Sequence, residues 1–166
     1  NDLFAFASGA STTMFTVIDG GSETDTLDFV NGAPAETIQL SAVMAGLGFT
    51  GVTGNVNQFN GIDAIDGTGG DTLDASMLSS AATIDLNTVG NTLQSGGESL
   101  SFSGVSSLTG TNLDDIVNVT GVHAIDVNTA GGNDRIVIQT NSSDITGTID
   151  GGSETTQDVL DLSLLS

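Results

Sequence analysis

Two stretches near opposite ends of the chain repeat each other almost word for word. Residues 18–29 read IDGGSETDTLDF and residues 149–162 read IDGGSETTQDVLDL, the second longer by two positions. Between them, IDGTGGDTLDA spans 65–75 and LTGTNLDDIVNV spans 108–119. Each copy is a glycine-rich turn, an acidic residue, then apolar residues at alternate positions. A pattern that returns at a fixed phase restricts a chain to architectures in which one small unit is laid against the next.

The unit can be defined more strictly as an acid followed by apolar residues two and four positions later. It occurs at Asp2 (Phe4, Phe6), Asp25 (Leu27, Phe29), Asp71 (Leu73, Ala75) and Glu98 (Leu100, Phe102). It recurs at Asp115 (Val117, Val119), Asp134 (Ile136, Ile138) and Asp158 (Leu160, Leu162). Apolar residues two apart mark one face of a strand, and the glycines before them mark a sharp backbone bend. No stretch sustains a helical period; the nearest, 42–48, is broken by Gly46 and Gly48.

The chain therefore reads as all-β, a single segment over 1–166 with repeat units at about 18–64, 65–107, 108–148 and 149–166. Unit starts lie 47, 43 and 41 residues apart, and a second acidic turn inside the middle units halves that period. The expected fold is a parallel β-solenoid, a β-helix or β-roll, of about 7–8 coils of roughly 20–23 residues. Coils stacked about 4.8 Å apart would align Leu27, Leu73, Leu100, Val117, Ile136 and Leu160 in one inward ladder. A compact sandwich is the competing fold; it predicts hairpins and no single-phase acid before each strand. The chain opens within a repeat and without Met, which reads as a piece of a longer polypeptide; no signal peptide is recognisable.

Charge narrows the function classes. Twenty-one acids face a single Arg135 and no lysine, a formal charge of −20. Phosphate contacts need Lys and Arg, so nucleic acid is excluded as a partner. No 18-residue apolar run exists, so membrane insertion by a helix is not expected. The acids sit at recurring turn positions, which suits cation ligation as well as solubility. Histidine occurs once, His123, and there is no Cys, Trp or Tyr, so no nucleophile–base pair or sugar-stacking platform emerges and the chain is expected not to be an enzyme.

The turn sequences resemble the nonapeptide GGxGxDxUx of haemolysin-type (RTX) calcium-binding repeats. GGSETDTLD at 20–28 matches except for Glu23, and DGTGGDTLD at 66–74 except for Asp66, Thr68 standing at a free position. TAGGNDRIV at 129–137 keeps Gly132, Asp134 and Ile136. The resemblance implies Ca²⁺ held by Asp25, Asp71 and Asp134, and in more degenerate copies by Asp115 and Asp158. Carboxylates one coil apart would repel by about 3.5 kcal/mol at an effective dielectric of 20, which a cation would relieve. Family members run these repeats back to back, whereas the acidic turns here lie 17–46 residues apart. Metal-free turns closed by Asp and Asn side chains are the alternative.

The resemblance further implies a structural segment of a large secreted or cell-surface bacterial protein, such as an adhesin stalk, surface layer or filament, stiffened by calcium outside the cell. Expected partners are flanking repeats or further copies of the chain end to end. A calcium-dependent carbohydrate- or partner-binding module is the second reading, and a β-helix polysaccharide-processing enzyme the third.

Overall fold

The computed structural model describes residues 1–6, 15–30, 34–153 and 156–166. They contain strands and no helix. In chain order these are β1 (Leu3–Ala5), β2 (Ile18–Asp19), β3 (Thr26–Asp28), β4 (Thr37–Met44), β5 (Gly48–Val52) and β6 (Phe59–Ile62). Then come β7 (Ala64–Asp74), β8 (Ala82–Leu86), β9 (Asn91–Ser95), β10 (Glu98–Thr109) and β11 (Ile116–Val119). The last are β12 (Val122–His123), β13 (Asp126–Asn128), β14 (Arg135–Ile138), β15 (Asp144–Ile145), β16 (Ile149–Asp150) and β17 (Val159–Asp161).

All but β12 and β15, which pair with each other, join one bent sheet. It has two ladders. The first runs β1, β3, the start of β7, the start of β10, β9, β8, β11, β14, β17. The second runs β2, β6, β5, β4, the end of β7, the end of β10, β13, β16. The long strands β7 and β10 cross from one ladder to the other. Their register shifts between Ser103 and Val105, where Gly104 has φ +63° and lies against the Gly67 backbone. Any Cβ on Gly104 would strike the Gly67 carbonyl, so the crossing requires glycine on steric grounds alone.

Alternating apolar residues place the core. In the first ladder Phe4, Leu27, Ile65 and Phe102 are in register, and beyond β9 so are Ile84, Val117, Ile136 and Leu160. In the second, Ile38, Leu73, Leu108, Val127 and Ile149 align. Apart from Leu160 and Ile149, which are exposed at the far end, these inward residues form one continuous cluster, each buried large aliphatic side chain contributing about 1.5–3 kcal/mol. Phe6 stacks on Phe29 with ring centroids 4.8 Å apart.

The all-β expectation agrees with this architecture, but the parallel β-solenoid of equal coils does not. Four pairings are antiparallel: β4 with β5, β5 with β6, β8 with β9, and β9 with β10. The sheet is therefore mixed. Four reversing connections cause this, and two of them are tight glycine turns. Gly96 and Gly97 both have positive φ (59° and 93°), the geometry of a two-residue type I′ hairpin, whose twist matches that of the flanking strands. At the other, Met44 pairs with Gly48 around Gly46 (φ +72°). Glu98, counted in the sequence as one more repeat acid, thus opens the return strand of a hairpin.

Candidate functional site

The inward residue just before each strand is where the recurring acid sits, and there it meets the neighbouring strand's backbone. Asp25 Oδ1 accepts the Asp2 amide at 2.6 Å, and Asp63 Oδ2 accepts the Asp25 amide at 3.1 Å. Asp71 Oδ1 accepts the Glu36 amide at 2.6 Å, and Asp115 Oδ1 the Ala82 amide at 2.7 Å. Asp134 Oδ1 accepts the Asp115 amide at 2.8 Å, and Asp158 Oδ1 the Asp134 amide at 2.9 Å. Every link has the same sense: the carboxylate on the strand nearer the β16–β17 end takes the amide from the strand nearer the β1–β2 end. Charge-assisted bonds of this kind are about twice as strong as neutral ones.

Two of these carboxylates also close their own turns. Asp71 Oδ2 accepts the Thr68 amide at 2.6 Å. Asp115 Oδ2 accepts the Thr111 amide at 2.6 Å, and the Thr111 hydroxyl donates to Asp115 Oδ1 at 2.7 Å. The glycine of the recurring IDG or LTG leaves the room. A Cβ on Gly67 would lie 2.5 Å from Asp71 Oδ2, and one on Gly110 2.5 Å from Asp115 Oδ2. Gly20 against Asp25 and Gly151 against Asp158 repeat the arrangement. The glycine and the acid of the repeat are thus one packing unit.

Asp25, Asp71, Asp115 and Asp134 are buried, with Asp25 and Asp71 wholly inaccessible. Burial pushes the Asp115 carboxyl above its ordinary range, against the hydrogen bonds from Ala82 and Thr111 that favour the charged form. Burial likewise raises Asp134, Asp63 and Glu36. Asp25 Oδ2 and Asp134 Oδ2 are buried and accept no well-formed hydrogen bond among the described residues, although the Thr129 hydroxyl lies close enough to Asp134 to favour its charged form. Beside Asp134 the glycine position is taken by Thr129, whose hydroxyl donates to the Gly151 carbonyl at 3.0 Å. Each orphaned oxygen demands a proton, a water or a cation.

The five acids expected as calcium ligands thus lie along two ladders and reach backbone amides. Among the described residues no three acidic or histidine side chains converge on one point. Calcium takes six to eight oxygens, usually with several carboxylates; here the oxygens of these acids meet main-chain amides of the neighbouring strand. Sequence reasoning missed Asp63 as a member of the ladder and Glu36, which accepts the Gly54 amide at 2.8 Å and the Asn55 side-chain amide. Asp63 betrays itself as an acid two before Ile65; Glu36 precedes Ile38 in the same way.

The remaining candidates also have partners. Asp114, next to Asp115, turns outward to the Asn133 amide at 2.8 Å, while Asp115 turns inward to the Ala82 and Thr111 amides. His123 Nε2 lies 3.0 Å from the Thr120 carbonyl. Arg135 pairs with Asp161 on the next strand; hydrogen bonds from Ser163, and after them the Arg135 guanidinium, hold that carboxyl at about 2. Compared with models of known families, with curated proteins and with solved structures, the chain matches none of them.

Proposed function

We propose that this chain is a structural spacer segment of a secreted or cell-surface bacterial protein, non-catalytic, holding its neighbours apart through a stiff ladder. The observation that carries the reading is the directional series of aspartate-to-amide bonds from one strand to the next. Each bond fixes register where a ladder of short strands would otherwise slip. The formal net charge of −20 favours solubility of such a segment and disfavours anionic partners. Single-molecule pulling from residues 1 and 166 tests the reading. A spacer resists until it opens in a few discrete high-force events; extension at forces typical of an unstructured chain would overturn it.

A second reading, calcium stiffening, is favoured by the orphaned oxygens of Asp25 and Asp134. Thermal melting at neutral pH with calcium and with a chelator decides it. A calcium-dependent rise that Asp25→Asn and Asp134→Asn abolish supports ions at those two points. No rise retires calcium and leaves protons or water as the partners of these oxygens.

A further inference from the structure

We propose that copies of this chain stack head to tail, the β17 edge of one copy pairing in parallel with the β1 edge of the next. The amide of Asp158 would donate to the carboxylate of the second copy's Asp2. This rests on the structural reading above and names the partner.

The first support is polarity. β17, β14, β11 and β8 run parallel, two antiparallel pairings through β9 lead to β10, and β10, β7, β3 and β1 are again parallel. The strands at the two ends of the first ladder therefore point the same way, and a translated copy meets the first as a parallel neighbour.

The second support is the sense of the aspartate links. The exposed Asp114 and Asp126 take the amides of Asn133 and Thr148, further along the ladder. In the six strand-to-strand links of the inward acids the carboxylate instead belongs to the later strand in the ladder. At the β17 end this leaves an amide without an acceptor: Asp158 donates to nothing among the described residues, while its carboxylate holds the Asp134 amide. At the β1 end it leaves a carboxylate without a donor: the Asp2 amide is held by Asp25, and among the described residues the Asp2 side chain accepts nothing. The missing group at each end is the spare group at the other. β17 also belongs to the second copy of the IDGGSET repeat, and in the first copy the corresponding amide, that of Asp25, does find a carboxylate, Asp63.

The third support is apolar. In the inward row Val117, Ile136, Leu160, exposure climbs from 0% and 3% to 55%. Leu160 is a core residue by phase that the described residues leave exposed. In the proposed register Phe4 of the next copy lies beside it, as Leu27 lies beside Phe4 within the chain. Leu3 would then face Val159; these side chains are 65% and 44% exposed. Such a contact is heterologous and does not close on itself, so it builds open filaments.

The chain has no cysteine, which makes the register directly testable at a salt concentration that screens its charge. Leu3→Cys and Val159→Cys proteins are mixed and oxidised. The expected product is a dimer bridged between positions 3 and 159, in excess over like-with-like dimers, and the double variant should give a series of longer oligomers. Asp2→Asn should weaken association in sedimentation about tenfold while the melting temperature stays the same. Predominant like-with-like bridges, or a monomer at every concentration with no bridge formed, overturns stacking. Association unchanged by Asp2→Asn overturns the role given to that carboxylate. A monomer that still resists pulling would retire the stacking and leave the spacer standing.

Discussion

The part of the molecule from residue 105 onward and the part between residues 37 and 102 solve the same problem differently. Beyond 105, β10, β13 and β16 stack in parallel on one ladder and β11, β14 and β17 on the other. There Asp115, Asp134 and Asp158 follow one another at 19 and 24 residues, each bonded to the backbone of the one before. In the earlier part the chain doubles back through β4–β5–β6 and β8–β9–β10. Among the described residues no such acid links β8, β9 and β10: Leu100 falls one residue before the Ser101–Ala64 pair, the place Asp63 holds in β7; across β4 and β5, Glu36 takes the Gly54 amide. Where strands follow one another through a crossover, a carboxylate fixes their register; where a tight turn joins them, the turn does so and the acid is dispensable.

That contrast can be broken or sharpened by mutation. The largest effect is expected at the crossing shared by both parts. Gly104→Ala must displace the Gly67 backbone and holds alanine at positive φ, costing about 4 kcal/mol in denaturant unfolding. Asp115→Ala comes next. It strands the Ala82 and Thr111 amides and the Thr111 hydroxyl inside the protein, offset by the released cost of burying a carboxylate, for about 3 kcal/mol. Asp158→Ala should cost only about 1 kcal/mol, because it frees a single amide near an end that water reaches. Gly97→Ala meets no atom within 4 Å, so its cost is the backbone strain of the hairpin alone, about 1 kcal/mol. If Asp115 and Asp158 proved equal, the graded role of the ladder would be lost.

The smallest expected effect is one of pH. Asp115, Asp134, Asp63 and Glu36 are raised by burial, so the folded state binds their protons more tightly than the unfolded chain. Their stabilising contribution is complete below the ordinary carboxylate range, near pH 4, and is lost as pH rises through their raised values. Melting temperature should therefore rise as pH falls from 7.5 to 5. Asp126 and Asp161 act in the opposite sense: hydrogen bonds from Thr148 and Ser163 lower them, and their contribution is lost as pH falls through those lowered values. The Asp134→Asn variant should flatten the rise above pH 5; a melting temperature independent of pH there would count against burial as the cause.

Much of the regular part was legible from residues alone. Val117, Ile136 and Leu160 do share a row, because acid, strand and turn repeat there without interruption. Leu73 was misplaced with Leu27. It lies in the other ladder beside Ile38 and Leu108, since β7 is long enough to pass from one ladder to the other and alternation alone does not record the passage. The hairpin at Gly96–Gly97 was hidden for a different reason. A glycine pair before an acid looks the same whether it feeds a parallel rung or a type I′ turn; only NTLQS ahead of it and ESLSF behind, alternating on both sides, distinguish the two. As for the site, the positions of the acids could be read from spacing, but not their partners, because a main-chain amide carries no sequence signature.

Two reversals in succession leave a strand pointing as if none had occurred, and β9 supplies such a pair between β8 and β10. A gene with this layout can gain or lose a there-and-back excursion as one block without disturbing what lies to either side. Related chains can then differ in length by whole excursions and still present identical end surfaces, so variation in size is decoupled from compatibility between neighbours.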